Sequence, residues 1–231
     1  MNRMRTPSKA ILLAFFAATL VLATAASAAM VGIYRNGMET TAQRSQLVKL
    51  SGKECSRGGS ESALRITLGK ATSECAYRTP VIGRNLEVGA TERLLKMTPN
   101  PSQHAAYLGL VLRAGGNSRF ELRVFPLQRK VQLLKVVSGE LTYLAVDRDE
   151  NAVMGVNAAN ALRLRVVDGP EPGHVRLTGY LGATQVVEAT DTSGGSSLPG
   201  QFSGVVVGAL KSPNGVVASV DDVTIRVPVN F

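Results

Sequence analysis

The sequence predicts an all-β protein, a two-sheet antiparallel β-sandwich of the jelly-roll type. Three observations lead to this fold class. Apolar and polar residues alternate at a period of two, turn residues interrupt the alternation at short intervals, and no stretch after residue 28 keeps a helical period. Many short strands of this kind can bury their inner faces only when two sheets pack against each other.

The first 28 residues have the pattern of a secretory signal peptide. Three basic residues precede an uncharged apolar run over 10–23, and Ala26-Ser27-Ala28 supplies the small residues of a cleavage site. The alternative is an uncleaved anchor, because an apolar helix of about 20 residues spans a bilayer. In that case this segment would be the part of the protein that contacts a membrane. Either way, the pattern predicts bacterial-type export, with the protein secreted or held at the cell surface.

Residues 29–231 are long enough to form a single β-sandwich domain with a large core. Cleavage would remove three of the 26 basic residues and none of the 17 acids, which leaves a formal charge of +6. Such a surface attracts an anionic envelope polymer or glycan through a field that salt screens. The alternative is a solvated basic surface without a dedicated partner, and no specific nucleic acid is expected.

Cys55 and Cys75 are the only two cysteines of the chain. In an exported protein such a pair is most simply a disulfide bond. Chain-entropy estimates for a loop of this size give roughly 3 kcal/mol of stabilisation. A redox-active pair explains the sequence less well, because the spacing is far from Cys-x-x-Cys.

Individual strands follow from the alternation, in chain order. The N-terminal part, 29–100, is less regular, with predicted strands at 64–68 and 86–88 and one helical turn over 92–97. From residue 107 the predicted strands are 107–113, 119–125, 131–137, 141–146, 161–167, 175–180, 185–189, 203–210 and 217–227. The first two of these predict a hairpin with one buried face.

Three segments between residues 107 and 225 carry a recognisable pattern. They are Tyr107-Leu108-Gly109-Leu110-Val111-Leu112-Arg113 before a turn and an aromatic strand, Asn160-Ala161-Leu162-Arg163-Leu164-Arg165-Val166, and Val220-Asp221-Asp222-Val223-Thr224-Ile225. Together these segments resemble the concanavalin A-like lectin and glucanase superfamily, particularly its laminin G-like jelly rolls. The resemblance covers a little over half of the chain and implies a sandwich of two antiparallel sheets.

The resemblance leaves two classes of function open. Glucanases of the superfamily carry the pattern Glu-x-Asp-x-x-Glu, which does not occur in this sequence. The sequence therefore favours a noncatalytic exported member that binds a polymer, a glycan or a protein, and no residue is predicted to be catalytic. A sugar-acting glycoside hydrolase of the concanavalin A-like type is the alternative, because a site can be assembled from scattered residues.

Arginine is frequent at the outward positions of the predicted middle strands. If the strands pair as assumed, several guanidinium groups share one sheet face, where their planar forks suit carboxylate or phosphate oxygens. Arg113, Arg123, Arg163 and Arg165 are therefore the candidate ligand-binding residues. The alternative is that these arginines only keep exposed strands solvated.

Two further groups of residues are candidates for ligand contacts. Sugar sites often contain aromatic side chains, and in a chain without tryptophan Tyr143 and Tyr180 are the candidates for stacking. Asp147, Asp149 and Asn151 offer oxygen atoms at alternate positions and predict a possible calcium site, with a solvated turn as the alternative. No cofactor other than calcium is expected.

Overall fold

The computed structural model describes residues 29–60, 62–69, 74–96, 105–148, 152–194, 198, 200–210 and 215–229, so the predicted signal peptide lies outside the described residues. This part of the chain forms fifteen strands and one short helix. They are β1 (Met30–Asn36), α1 (Thr41–Ser45), β2 (Val48–Ser51), β3 (Cys55–Ser60), β4 (Ala63–Leu68), β5 (Glu74–Ile82), β6 (Leu86–Lys96), β7 (Ala106–Gly115), β8 (Ser118–Phe125), β9 (Lys130–Val137), β10 (Glu140–Asp147), β11 (Asn160–Asp168), β12 (Val175–Leu181), β13 (Thr184–Asp191), β14 (Phe202–Ala209) and β15 (Val217–Pro228).

The strands form two antiparallel sheets, which confirms the predicted β-sandwich. Sheet A has the order β13-β12-β11-β6-β15-β4-β3, with β1 paired to the second half of β15. Sheet B has the order β10-β9-β8-β7-β14-β5-β2. Within the described residues, no helix has the length and apolar character needed to cross a bilayer.

The main core lies between the two sheets and follows the predicted alternation. Leu108, Leu110 and Leu112 of β7 face inward from sheet B. Leu162 and Leu164 of β11 face inward from sheet A and belong to the same apolar cluster. Period-two alternation therefore identified the inner face of both sheets correctly.

The hairpin of β7 and β8 is buried on its outer face as well, so the prediction of one buried face is wrong. Tyr107, Val111 and Phe125 form a second apolar cluster there with residues of β5 and β14. Long basic side chains lie over this cluster: the Arg123 guanidinium is 4.3 Å from the Tyr107 ring and the Lys130 ammonium 4.3 Å from the Phe125 ring. Their alkyl stems cover apolar surface that the alternation had assigned to solvent.

The N-terminal part contributes six strands and α1, and the predicted helical turn over 92–97 is wrong. Instead, β6 continues to Lys96 at the centre of sheet A, between β11 and β15. Pairing on both sides outweighs the weak local preference of this segment. The helix α1 begins with a capping box, in which Thr40 and Gln43 satisfy each other's backbone N–H groups.

The predicted disulfide is confirmed. Cys55 of β3 and Cys75 of β5 are bonded, with 5.8 Å between their Cα atoms. Because β3 belongs to sheet A and β5 to sheet B, the bridge joins the two sheets. Gly52, at φ 96°, allows the close approach, since a Cβ there would overlap the Cys55 sulfur.

Candidate ligand-binding site

The predicted arginine residues are divided between the two sheets. Arg113 and Arg123 lie on β7 and β8 of sheet B, whereas Arg163 and Arg165 lie on β11 of sheet A. The prediction of one shared arginine face is therefore wrong. Alternation tells whether a side chain faces in or out of a strand's own sheet, but it does not tell which sheet the strand joins.

Arg113 is buried and structural, which corrects its assignment to an outward face. Its side chain has no exposed surface and forms an ion pair with Asp168, at 2.8 Å. Its guanidinium group also donates to the carbonyl oxygen of Arg84 and to Asn85 Oδ1. Its φ of 51° marks the irregularity between Leu112 and Gly115 that turns the side chain out of the regular alternation. Arg113 thus ties β7 of sheet B to Asp168, the last residue of β11 in sheet A, and to the two residues before β6.

Arg123 belongs to a buried ionic cluster on the outer face of sheet B. Its Nε lies 2.6 Å from Glu121 Oε1, and Arg119 contacts both Glu121, at 3.0 Å, and Glu74, at 2.7 Å. The Tyr107 hydroxyl donates to Glu74 at 2.9 Å. Burial raises the pKa of the Glu74 carboxyl, and the charge of Glu121 adds to this, while Arg119 opposes it.

This cluster brings together two carboxylates, the residue type that a glycosidase requires. Both carboxylates already accept hydrogen bonds from Arg119, and the Glu121 side chain is fully buried. The ionic cluster therefore connects β5 and β8 over the second apolar cluster. The alternation of Arg119, Glu121 and Arg123 on one strand face was visible in the sequence, but the partner Glu74 was not.

Sheet A presents a different arrangement, which we call the arginine cluster: Arg163, Arg165 and Arg226 around Glu87. Arg165 Nη2 lies 2.9 Å from Glu87 Oε2, while Arg226 Nη1 and Arg163 Nη1 lie 3.2 and 3.5 Å from Oε1. The Glu87 side chain is 1% exposed, whereas those of Arg163, Arg165 and Arg226 are 26%, 19% and 42% exposed. One buried acid therefore holds three partly exposed cations, for a net charge of +2.

Tyr180 of β12 also contacts two arginines of this cluster, Arg163 and Arg165. The Arg163 guanidinium carbon lies 4.4 Å from the centroid of its ring, and that of Arg165 lies 5.8 Å away. Cation–π contacts of this kind restrict the guanidinium groups and cover the ring. Tyr143, which is 55% exposed, lies on β10 of sheet B, so the two tyrosines cannot share one stacking platform.

A groove lies beside the arginine cluster, over the paired strands β1 and β15, and we call it the β1 groove. Its volume is about 540 Å³. The lining residues are Gly32, Ile33, Tyr34, Arg35, Asp222, Thr224 and Arg226. Arg226 belongs to both the groove and the arginine cluster, so the two are continuous on the outer face of sheet A.

Comparison of the chain with protein-family models and with curated proteins found no match. Solved structures are similar in fold. The carbohydrate binding module CBM66 from Bacillus subtilis is 12% identical, with a TM-score of 0.56 over 78% of this chain and 96% of that one. A protein of unknown function with a galectin-like fold, also from B. subtilis, is 13% identical, with a TM-score of 0.59 over 86% and 98%.

The κ-carrageenase from Pseudoalteromonas carrageenovora, in complex with an oligotetrasaccharide of κ-carrageenan, is 8% identical, with a TM-score of 0.56 over 91% of this chain and all of that one. These three structures thus share with this chain the two-sheet architecture described above. The chain has a concanavalin A-like jelly-roll fold. At these identities the similarity establishes the fold, which the sequence resemblance had predicted, and leaves the function to the site.

Within this concanavalin A-like fold, the decisive residues Glu87 and Arg226 were not identified from the sequence. Glu87 occupies an outward position of the predicted strand 86–88, which is an unusual place for a buried acid. That pattern alone was only a weak indication that Glu87 belongs to a functional site. Arg226 reaches Glu87 only because β15 pairs with β6, across 139 residues of sequence.

The predicted calcium site stays a prediction. Asp147 ends β10 and accepts a hydrogen bond from the Arg148 N–H, at 2.8 Å, while Asp149 and Asn151 lie outside the described residues. In the part of the chain that the structure describes, no three His, Cys, Asp or Glu side chains come together as a metal site.

Proposed function

We propose that this protein is an exported, noncatalytic glycan-binding domain that binds an acidic polysaccharide through the arginine cluster on sheet A. One observation carries the proposal: three partly exposed guanidinium groups are held together by a single buried carboxylate. Similarity in fold to a carbohydrate binding module and to a carrageenase with a bound saccharide supports glycan as the class of ligand.

The chemistry of the cluster supports an anionic ligand. A guanidinium group has five N–H donors, and Glu87 accepts hydrogen bonds from one or two nitrogens of each arginine. Further donors remain for carboxylate or sulfate oxygens, which guanidinium groups bind in a planar, bidentate manner. Because Glu87 and Tyr180 already hold the arginines in place, little side-chain entropy is lost on binding.

Export is the second part of the proposal. The predicted signal peptide supports it, and so does the disulfide bond between Cys55 and Cys75, because such bonds persist in oxidising compartments. Mass determination of the N-terminus after expression in a secreting bacterium tests it: a mature chain that begins near residue 29 is the expected result.

Binding is tested with the purified protein, acidic polysaccharides and two variants that each lose two positive charges. Arg163→Ala with Arg165→Ala removes part of the cluster. Arg65→Ala with Arg176→Ala removes two exposed arginines from the same outer face but outside the cluster. Calorimetric titration should show binding that weakens with salt, a loss of about tenfold or more in the first variant, and a much smaller loss in the control.

Equal losses of affinity in both variants would show that the polysaccharide responds only to the net charge of the protein and not to the cluster. If the natural protein binds no acidic polysaccharide, the proposal is overturned. The noncatalytic part has its own test in the same samples. New reducing ends released from the polysaccharides would show glycoside hydrolysis and would favour the alternative function.

A further inference from the structure

The β1 groove has the size and the chemistry of a saccharide subsite. Its volume of about 540 Å³ falls in the range of ligand pockets in proteins, roughly 300 to 1,000 Å³. Its walls carry one carboxylate, Asp222, together with Arg35 and Thr224. These groups offer both acceptors and donors, which is what the hydroxyl groups of an uncharged sugar require.

The groove and the arginine cluster lie in one row across sheet A. Gly32 of β1 is paired with Arg226 of β15, Arg226 with Glu87 of β6, and Glu87 with Arg165 of β11. Adjacent strands are about 4.8 Å apart, so Arg165 and Arg226 are about 10 Å apart at their backbones. A chain-like ligand that crosses the strands along this row meets the groove and the cluster in succession.

Two glycines, Gly32 and Gly89, keep bulky side chains away from this row of residues. A Cβ at Gly32 would meet no atom within 4 Å, so a side chain there would project into the open groove. A Cβ at Gly89 would lie 2.8 Å from Thr224 Oγ1 and 3.3 Å from Arg163 Cγ. Glycine at 89 therefore allows the wall of the groove and the arginine cluster to approach each other.

Asp222 adopts a left-handed backbone conformation in the wall of the groove. Its φ is 48°, in the left-handed region, at the point where the pairing of β15 with β6 shifts register. Such conformations are uncommon outside glycine and concentrate at functional sites. Its ion pair with Arg35, at 2.8 Å, is solvent-exposed, with side chains 43% and 77% exposed, and is therefore weak enough to exchange for ligand hydroxyls.

The two halves of the row differ in charge. Arg35 and Asp222 neutralise each other in the groove, whereas the arginine cluster has a net charge of +2. An anionic group in the groove would face the Asp222 carboxylate. We infer that the β1 groove binds an uncharged sugar residue next to the charged residue on the arginine cluster, so that the ligand is an acidic polysaccharide with alternating charged and uncharged residues.

This inference rests on the proposed function, and its test uses polymers that differ in charge spacing. Hyaluronate and κ-carrageenan carry a charge on alternate residues, whereas polygalacturonate carries one on every residue and dextran sulfate carries one or more. Titrations of the natural protein at matched charge concentration and ionic strength should show about tenfold tighter binding of at least one alternating polymer.

Two variants change the groove and leave all four residues of the arginine cluster in the sequence. Gly32→Leu fills it, and Asp222→Gly removes the carboxylate while tolerating the positive φ. Val31→Leu, an exposed position on the same strand outside the lining residues, is the matched control. Melting curves confirm that each variant is folded.

Gly32→Leu should weaken binding of the alternating polymer about tenfold and leave binding of the contiguous polymers unchanged, while Val31→Leu changes neither. Asp222→Gly should shift the preference towards the contiguous polymers, because it leaves the positive charge of Arg35 without its partner in the groove. Equal affinity for the two kinds of polymer, or groove variants that bind as the natural protein does, would overturn the inference alone. Loss of the proposed function has a different signature, in which the natural protein binds no acidic polymer or Arg163→Ala with Arg165→Ala has no effect.

Discussion

Glu92 shows at the scale of one residue how burial changes a carboxyl group. Its side chain lies between the sheets, where Oε2 accepts a hydrogen bond from the Gly109 N–H at 3.2 Å and Oε1 contacts no donor among the described residues. Burial raises the pKa of the Glu92 carboxyl well above its usual range, and the Gly109 N–H opposes this only in part. The protonated acid is therefore favoured in the folded protein.

Replacing Glu92 by Gln should make stability less dependent on pH. In the natural protein the folded chain keeps a proton that the unfolded chain loses above about pH 4.3, so the free energy of unfolding falls as the pH rises. Gln cannot ionise, so Glu92→Gln should be more stable than the natural protein at pH 7 and similar to it near pH 4.

Thermal denaturation between pH 4 and 8 measures this difference. Glu140→Gln, at an exposed position of β10, is the control and should follow the natural protein at every pH. An unchanged pH profile in Glu92→Gln would show that Glu92 ionises normally when folded.

At the scale of the elements, the disulfide connects two strands that belong to different sheets. β3 pairs only with β4 at one edge of sheet A, and β5 lies between β14 and β2 in sheet B. The bond between Cys55 and Cys75 therefore ties an edge strand of one sheet to the other sheet. Because its two cysteines are 20 residues apart, it also restricts the unfolded chain.

Replacing both cysteines by serine should destabilise the protein by roughly 3 kcal/mol, through loss of this restriction on the unfolded chain. For a chain of this length the corresponding fall in melting temperature is about 6 to 12 °C. Scanning calorimetry of the variant and of the natural protein under non-reducing conditions measures it. A melting temperature within about 2 °C of the natural value would mean that the bridge contributes little.

At the scale of the whole molecule, the two sheets share one core. The main apolar cluster takes residues from strands of both sheets, and Arg113 and the disulfide add polar and covalent links between them. Neither sheet can bury its inner face without the other. We therefore expect the sandwich to unfold as one cooperative unit.

Unfolding should accordingly be a single transition. We expect calorimetric and van't Hoff enthalpies that agree within error, and coincident curves from far-ultraviolet circular dichroism and tyrosine fluorescence. Two separate transitions would contradict a shared core and would indicate that part of the chain folds independently.

Much of the fold was predictable because period-two alternation is a local property of the strand backbone. The strands from residue 107 onward, the two-sheet sandwich and the pairing of Cys55 with Cys75 all followed from it and from composition. The errors occurred where pairing with distant strands outweighed local preference. β6, predicted to end in a helical turn, is a central strand because β11 and β15 flank it.

By itself, then, the sequence determined the fold class, the disulfide and the inward-facing residues of regular strands such as β7 and β11. Only the tertiary structure decided which charged residues meet. It separated Arg113 and Arg123 from Arg163 and Arg165, and it assembled the arginine cluster from β6, β11 and β15. The reason is physical: alternation is set within each strand, whereas partners are set by sheet order and register between segments far apart in the chain.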